Sequence, residues 1–114
     1  MPTETSIVNS IKRMFKRRYR GVIRKLHGSK YSIEGDPDLY GCAVLPVACP
    51  KCGEVFDVGR SFAIEVKRPG ETARKIQEAR IREWGSGGAI AGVAHSKEEA
   101  ADILDGVSDW KDLL

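Results

Sequence analysis

The sequence has no long apolar run, few cysteines and no repeated segment, and these shortages exclude several classes of protein. No stretch of its 114 residues approaches the roughly 18 to 20 apolar residues needed to cross a bilayer, so we expect no membrane partner. The basic N-terminal residues are not followed by a continuous apolar block, so we expect no signal peptide. Three cysteines are an odd number, which disfavours a disulfide framework and favours a reduced, intracellular chain.

The composition is that of a folded protein whose charge is unevenly distributed. Hydrophobic residues make up 41% of the chain and charged residues 31%, and the length suits one domain with one core over residues 1–114. Acidic residues outnumber basic ones after position 30, whereas the first 30 residues carry one acid, Glu4, and nine basic side chains. These are Lys12, Arg13, Lys16, Arg17, Arg18, Arg20, Arg24, Lys25 and Lys30.

The basic N-terminal region has two interpretations. Phosphate polyanions suit such a patch, because each neutralised phosphate releases condensed counterions. Arg17, Arg18 and Arg20 would offer forked donors to phosphate, with Tyr19 between them as a stacking ring. Alternatively, the charges are the solvated face of a helix that keeps the protein soluble.

Hydrophobic spacing predicts an α/β fold with the element order α-β-β-β-α-β-α. Ile7, Val8, Ile11, Met14 and Phe15 recur at helical spacing, in a helix that Thr3 or Thr5 could cap. Strands are predicted at residues 22–27, 38–47, 61–66 and 89–94, the last buried on both faces if it is central in the sheet. Two more helices are predicted, one at residues 72–84 capped by Thr72 and one at residues 96–104 opened by the capping box of Ser96 and Glu99. Residues 46–53 are predicted to form a turn.

Two acidic residues stand in otherwise apolar strand segments. Asp38 opens the second predicted strand and Glu65 lies inside the third, where burying a carboxylate is costly unless it is paired or binds a metal. Strand alternation puts Glu65 and Lys67 on one face, and a hairpin would bring Asp38 beside them. Such oxygens suit Mg²⁺ (or Mn²⁺). Alternatively, Glu65 and Lys67 are an ordinary ion pair on a solvated edge strand.

The segment 35–39 (GDPDL) followed by Glu65-Val66-Lys67 resembles the PD-(D/E)xK nuclease signature. Segments 75–85 and 92–100 make the chain similar to the virus-type replication-repair nuclease (VRR-NUC) branch. The resemblance implies a PD-(D/E)xK nuclease-like mixed sheet flanked by helices. It also implies a Mg²⁺-dependent, structure-selective DNA endonuclease like the Holliday-junction resolvases. Its substrate would be branched or junction DNA in repair or recombination, in the cytoplasm of a bacterium or a phage-infected host.

The resemblance also assigns roles to individual residues. It makes Asp38, Glu65 and the Val66 backbone carbonyl metal ligands, and places Lys67 near the attacking water. Gln77 would support the site, and Glu4 would contact the metal or its waters. Lys25 and Tyr31 would face the DNA backbone. The positive charge of the N-terminal region, independently of the resemblance, makes Lys12, Arg13, Lys16, Arg17, Arg18 and Arg20 candidate DNA contacts.

The cysteines suggest a structural Zn²⁺ site in an insertion at about residues 42–60. Cys49-Pro50-Lys51-Cys52-Gly53 resembles a zinc knuckle, whose spacing lets two thiolates reach one ion. Cys42 is the expected third ligand; Asp57, His27 or a water could be the fourth, or two chains could share a site. The alternative is a tight turn with two small buried thiols.

Resolving a junction requires cutting two strands symmetrically, so we expect a homodimer, formed through the first helix or the cysteine hairpin. A non-enzymatic, zinc-containing nucleic-acid-binding module is the main alternative to a nuclease. A catalytically silent subunit is a third possibility, which the presence of both acids and the lysine disfavours.

Overall fold

Helices flank a four-stranded mixed sheet in the computed structural model of the chain, which describes residues 2–26 and 33–106. The elements are α1 (Glu4–Arg18), β1 (Gly21–Lys25), β2 (Leu39–Ala48), β3 (Val55–Val66), α2 (Lys75–Ser86), β4 (Ile90–Ala94) and α3 (Lys97–Asp105). The strands lie in the order β1-β2-β3-β4; the first two pairings are antiparallel, and β3 and β4 are parallel, joined through α2. The predicted α/β class with a mixed sheet and flanking helices is therefore confirmed.

Helix α1 forms as its apolar spacing predicts. Thr3 is the N-cap, and its side-chain oxygen accepts the Ser6 backbone N–H at 3.0 Å. The buried face comprises Ile7, Val8, Ile11, Met14 and Phe15. Gly21 then opens β1 with φ +146°, and a Cβ there would lie 2.0 Å from the Cys42 carbonyl oxygen. Glycine is therefore required where the chain turns from the helix into the sheet.

Alternation along β3 divides the molecule into two faces. Phe62, Ile64 and Val66 belong to the main hydrophobic core with α1 and α3, and the Phe15 and Phe62 rings lie 5.3 Å apart. The intervening residues, including Glu65, point to the opposite face, where α2 packs on β3 and β4. Strand period alone thus directs Glu65 away from the main core.

The β2–β3 hairpin is longer than predicted. β3 begins at Val55 instead of residue 61, and Pro46, expected in a turn, pairs with Asp57 inside β2. The Val44 N–H donates to the Arg20 carbonyl at 2.9 Å, on the side of β2 that faces β1. The backbone nitrogen of residue 46 faces the same side, but β1 does not extend that far along β2. A proline there removes no ladder bond. Residues 44–48 and 55–61 extend past both neighbouring strands, and we call this two-stranded segment the hairpin arm.

The C-terminal half departs from the prediction in three places. Thr72 is not the cap of α2, which begins at Lys75 with Arg74 as N-cap. The one buried residue of α2 is the polar Gln77, while the apolar residues of this helix are only half-buried. β4 is an edge strand, not a central one. Ser96 caps α3 as predicted, since its hydroxyl accepts the Glu99 N–H at 3.1 Å, but the box is not reciprocal because the Glu99 carboxylate accepts the His95 N–H.

No helix within residues 2–26 and 33–106 has both the length and the apolar character that crossing a membrane requires. His27, Tyr31 and the segment 107–114 lie outside the described residues.

Candidate active site

The two acidic residues predicted to share a pocket lie on adjacent strands. β2 and β3 pair with Leu39 opposite Ile64, so Asp38 and Glu65 are the next residues on the two strands. The Val66 backbone N–H donates to Asp38 Oδ2 at 2.8 Å, which fixes the Asp38 carboxylate against the residue that follows Glu65. The hairpin register therefore brings both carboxylates to the same end of the sheet.

Glu65 is almost completely buried, with 2% of its side chain exposed. Its Oε1 accepts a hydrogen bond from Gln77 Nε2 at 2.7 Å and lies 3.8 Å from Lys67 Nζ. Its Oε2 is buried and has no donor group as a partner, and a hydrogen bond between the Glu65 and Asp38 carboxyl groups can form only when one of them is protonated. Buried polar atoms without a partner are rare, and one at the centre of a charged cluster suits a missing ligand such as a cation.

The environment of Glu65 opposes its ionisation. Burial raises the pKa of Glu65 to about 8, and the neighbouring Asp38 charge adds to this shift while the Lys67 ammonium opposes it. A perturbed pKa produced by burial and a like-charged neighbour is typical of a functional site. A divalent cation between the two carboxylates would remove their repulsion, so the residues present fit a hard metal ion such as Mg²⁺.

Gln77 and Lys67 complete the arrangement around Glu65. Gln77 Oε1 accepts the Arg74 backbone N–H at 2.8 Å, so the first turn of α2 fixes which end of the amide faces Glu65. Lys67 has only 12% of its side chain exposed, and its ammonium stays next to Glu65 as strand alternation predicts. The predicted set Asp38, Glu65, Lys67 and Gln77 is thus assembled in one place.

A cleft of about 380 Å³ lies between the start of α1 and the end of β1. It is lined by Glu4, Thr5, Val8, Asn9, Lys12 and Lys25. Lys25 connects this cleft to the acids, since its Nζ is 3.3 Å from Asp38 Oδ1. The charge of Glu4 also contributes to the raised pKa of Glu65. The sequence predicted Lys25 as a DNA contact but did not predict its pairing with Asp38, and it missed Thr5 and Asn9.

The basic residues of the first helix do not act as one patch. Arg18 Nη2 and the Tyr19 hydroxyl bind Asp105 at 2.8 and 2.6 Å, and the Tyr19 ring stacks on Phe15 with centroids 5.4 Å apart. The interpretation of Tyr19 as a free stacking ring is therefore wrong. Arg20 pairs with Asp57 at 3.1 Å. Lys12, which lines the cleft, is half-buried, whereas Arg13, Lys16 and Arg17 are exposed.

The cysteines do not form the predicted three-cysteine site. Cys42 lies within β2 opposite Ser61, seven residues before Cys49, which puts it about 23 Å away along the strand. Within residues 2–26 and 33–106, no group of three or more His, Cys, Asp or Glu side chains is arranged to hold a metal ion. Cys42 as the third zinc ligand is therefore wrong, and Asp57 is occupied by Arg20.

Cys49 and Cys52 nevertheless lie together at the tip of the hairpin arm. The pKa of the Cys49 thiol is lowered by the neighbouring Cys52 backbone N–H, then by the Lys51 backbone N–H and the Cys52 thiol. Neither side chain is part of a tight buried cluster: Cys52 is exposed and Cys49 is half-buried. The alternative of two buried thiols in a turn is therefore wrong.

Comparison with known proteins identifies no relative. No model of a protein family matches the chain. No curated protein matches it either. The likeness to VRR-NUC nucleases therefore depends on the motif residues, and the case for function depends on the geometry around Glu65.

Proposed function

We propose that this protein is a divalent-metal-dependent endonuclease that hydrolyses phosphodiester bonds in DNA. The observation that carries the proposal is the buried Glu65 carboxylate, whose free Oε2 lies next to Asp38 on the neighbouring strand. Burying a carboxylate oxygen that has no donor partner costs folding free energy, so this arrangement does not serve stability. It is expected of a site built to hold a cation.

Each residue of the cluster has a distinct role in this mechanism. The Asp38 and Glu65 carboxylates and the Val66 carbonyl would hold Mg²⁺ or Mn²⁺, which supplies a Lewis acid for the phosphate and lowers the pKa of a bound water. Lys67 keeps its ammonium beside Glu65, where it orients the attacking water or stabilises negative charge on the phosphate. Gln77 holds the Glu65 carboxylate in position.

The cleft beside the cluster supplies the path for the DNA backbone. Lys12 and Lys25 both line this cleft, and Lys25 also contacts Asp38. A DNA phosphate bound by these lysines would therefore lie close to the two acidic residues. Arg13, Lys16 and Arg17 continue the positive surface along α1. Contacts of this kind bind phosphate without reading base sequence, as a structure-selective nuclease requires.

Cleavage of labelled DNA tests the proposal. Four-way junction, flap and duplex DNA are incubated with the protein in Mg²⁺, Mn²⁺ or EDTA, and we expect cleavage of at least one substrate only when a metal is present. Asp38→Asn and Lys67→Ala should each reduce the rate by at least about 100-fold, since Asp38 would hold the metal and Lys67 would act at the attacking water or the phosphate. Lys97→Ala is the control, because Lys97 is an exposed lysine on α3 that belongs neither to the acidic cluster nor to the lining of the cleft.

Two outcomes would reject the proposal. One is the absence of cleavage on every substrate, and the other is an equal rate for the wild-type protein and both active-site variants. Salt-dependent DNA binding without metal-dependent cleavage would instead favour the alternative, a non-enzymatic nucleic-acid-binding module.

A further inference from the structure

The tip of the hairpin arm is shaped like half of a tetrathiolate metal site. Gly53, with φ +74°, lets the chain reverse, and its N–H bonds the Cys49 carbonyl at 2.9 Å. The Cys49 N–H bonds the Glu54 carbonyl at 2.8 Å and closes the turn. The Cys52 and Lys51 backbone N–H groups and the Cys52 thiol are the close neighbours of the Cys49 sulfur. This is the arrangement in which a Cys-x₂-Cys pair binds Zn²⁺.

The chain's described residues provide no other ligand at this tip. Structural zinc sites are almost always tetrahedral and closed by four protein ligands. Cys42 is about 23 Å away along β2, and Asp57 is paired with Arg20. Two thiolates from elsewhere are therefore needed.

A second copy of the same chain can supply them, and the surface around the tip favours this occupant. Val55 and Phe56 follow the knuckle directly and are 62% and 45% exposed, although both are large apolar residues. The arm extends past β1 and β4, so the sheet does not cover them. A two-fold axis through the metal would bring two tips together, complete four sulfur ligands and cover both apolar pairs.

We propose that two copies of this protein share one Zn²⁺ at their hairpin tips, each contributing Cys49 and Cys52. The resulting dimer is joined through the arms, far from the acidic cluster at the other end of β2. This inference does not depend on the proposed nuclease activity, because it concerns metal content and mass in the absence of DNA.

The test measures zinc content and oligomeric mass together. The full chain is purified under reducing conditions without chelator, given an equimolar amount of Zn²⁺ and dialysed. Elemental analysis and native mass spectrometry should then find one zinc per two chains, in a dimer that a chelator converts to monomer. Co²⁺ in place of Zn²⁺ should give the absorption spectrum of a tetrahedral tetrathiolate site.

Matched cysteine variants make the test specific. Cys49→Ser and Cys52→Ser should each lose the zinc and the dimer while keeping the circular dichroism spectrum of the wild-type protein, because the tip lies outside the core. Cys42→Ser, which changes an exposed cysteine in the middle of β2, should retain both. The proposal is overturned by one zinc per monomer, by absence of bound zinc, by a dimer that survives the chelator, or by equal behaviour of all three variants.

Discussion

Replacing Glu65 by glutamine should make the metal-free protein more stable at alkaline pH. Burial and the Asp38 charge raise the pKa of Glu65 from 4.5 to about 8, so between these values the folded state binds a proton that the unfolded state releases. The stability that this proton provides is fully present below about pH 4.5 and is lost as the pH rises through about 8. Glutamine is neutral at every pH and retains an oxygen that can accept the Gln77 hydrogen bond.

The expected difference in stability between the two proteins follows from the shift in the pKa of Glu65. A displacement from 4.5 to about 8 corresponds to at most about 5 kcal/mol, and solvent screening in so small a protein reduces this to about 2–3 kcal/mol. Urea unfolding of both proteins in EDTA should therefore give similar free energies at pH 5. At pH 8.5 the variant should be more stable by about 2 kcal/mol. Taking the difference between the two proteins removes the contributions of other titrating groups.

Two further measurements complete this prediction. Adding Mg²⁺ at pH 8.5 should stabilise the wild-type protein and leave Glu65→Gln nearly unchanged, since the variant lacks the charge that holds the ion. Glu54→Gln, at an exposed position, should follow the wild-type pH profile. A stability difference between wild-type protein and Glu65→Gln that does not change between pH 5 and 8.5 would refute the reasoning about this carboxylate.

Three other substitutions test the fold that positions the site. Gly41→Ala should destabilise the protein by more than about 2 kcal/mol, because the alanine Cβ would lie 1.8 Å from the Val22 carbonyl oxygen. The control is Gly59→Ala, where the added Cβ enters open space and the urea midpoint should change little. Ser96→Ala should cost about 1 kcal/mol through loss of the α3 cap, and no change in thermal midpoint would contradict that assignment. Tyr19→Phe should cost about 1–2 kcal/mol in urea unfolding, because it leaves Asp105 without its 2.6 Å hydroxyl donor; a wild-type midpoint would argue against that bond in solution.

The sequence predicted the elements whose signals are local. Patterns within a few residues predicted three features: the apolar face of α1, the Ser96 cap of α3, and the alternation that puts Glu65 and Lys67 on one face. The pairing of Asp38 with Glu65 needed only one further assumption, a hairpin between their strands.

Features that depend on contacts between distant segments could not be predicted in this way. Pro46 indicates a turn by propensity, but it is tolerated in β2 because its nitrogen faces an edge beyond the start of β1. The predicted strand 38–47 already separated Cys42 from Cys49; what the sequence did not show is that β3 begins at Val55, which puts Cys49 and Cys52 at the tip of a long hairpin. Tyr19 looked free because its partner Asp105 lies 86 residues later in the chain.

Locating the metal directly is the measurement that best tests the central claim. Crystals of the protein soaked in Mn²⁺ should show an anomalous scattering peak in contact with Glu65 Oε2 and an Asp38 carboxylate oxygen, and the peak should be absent in crystals of Asp38→Asn. A Mn²⁺-saturated crystal with no peak between these two carboxylates, or with Glu65 Oε2 bonded to a protein group instead, would contradict the account.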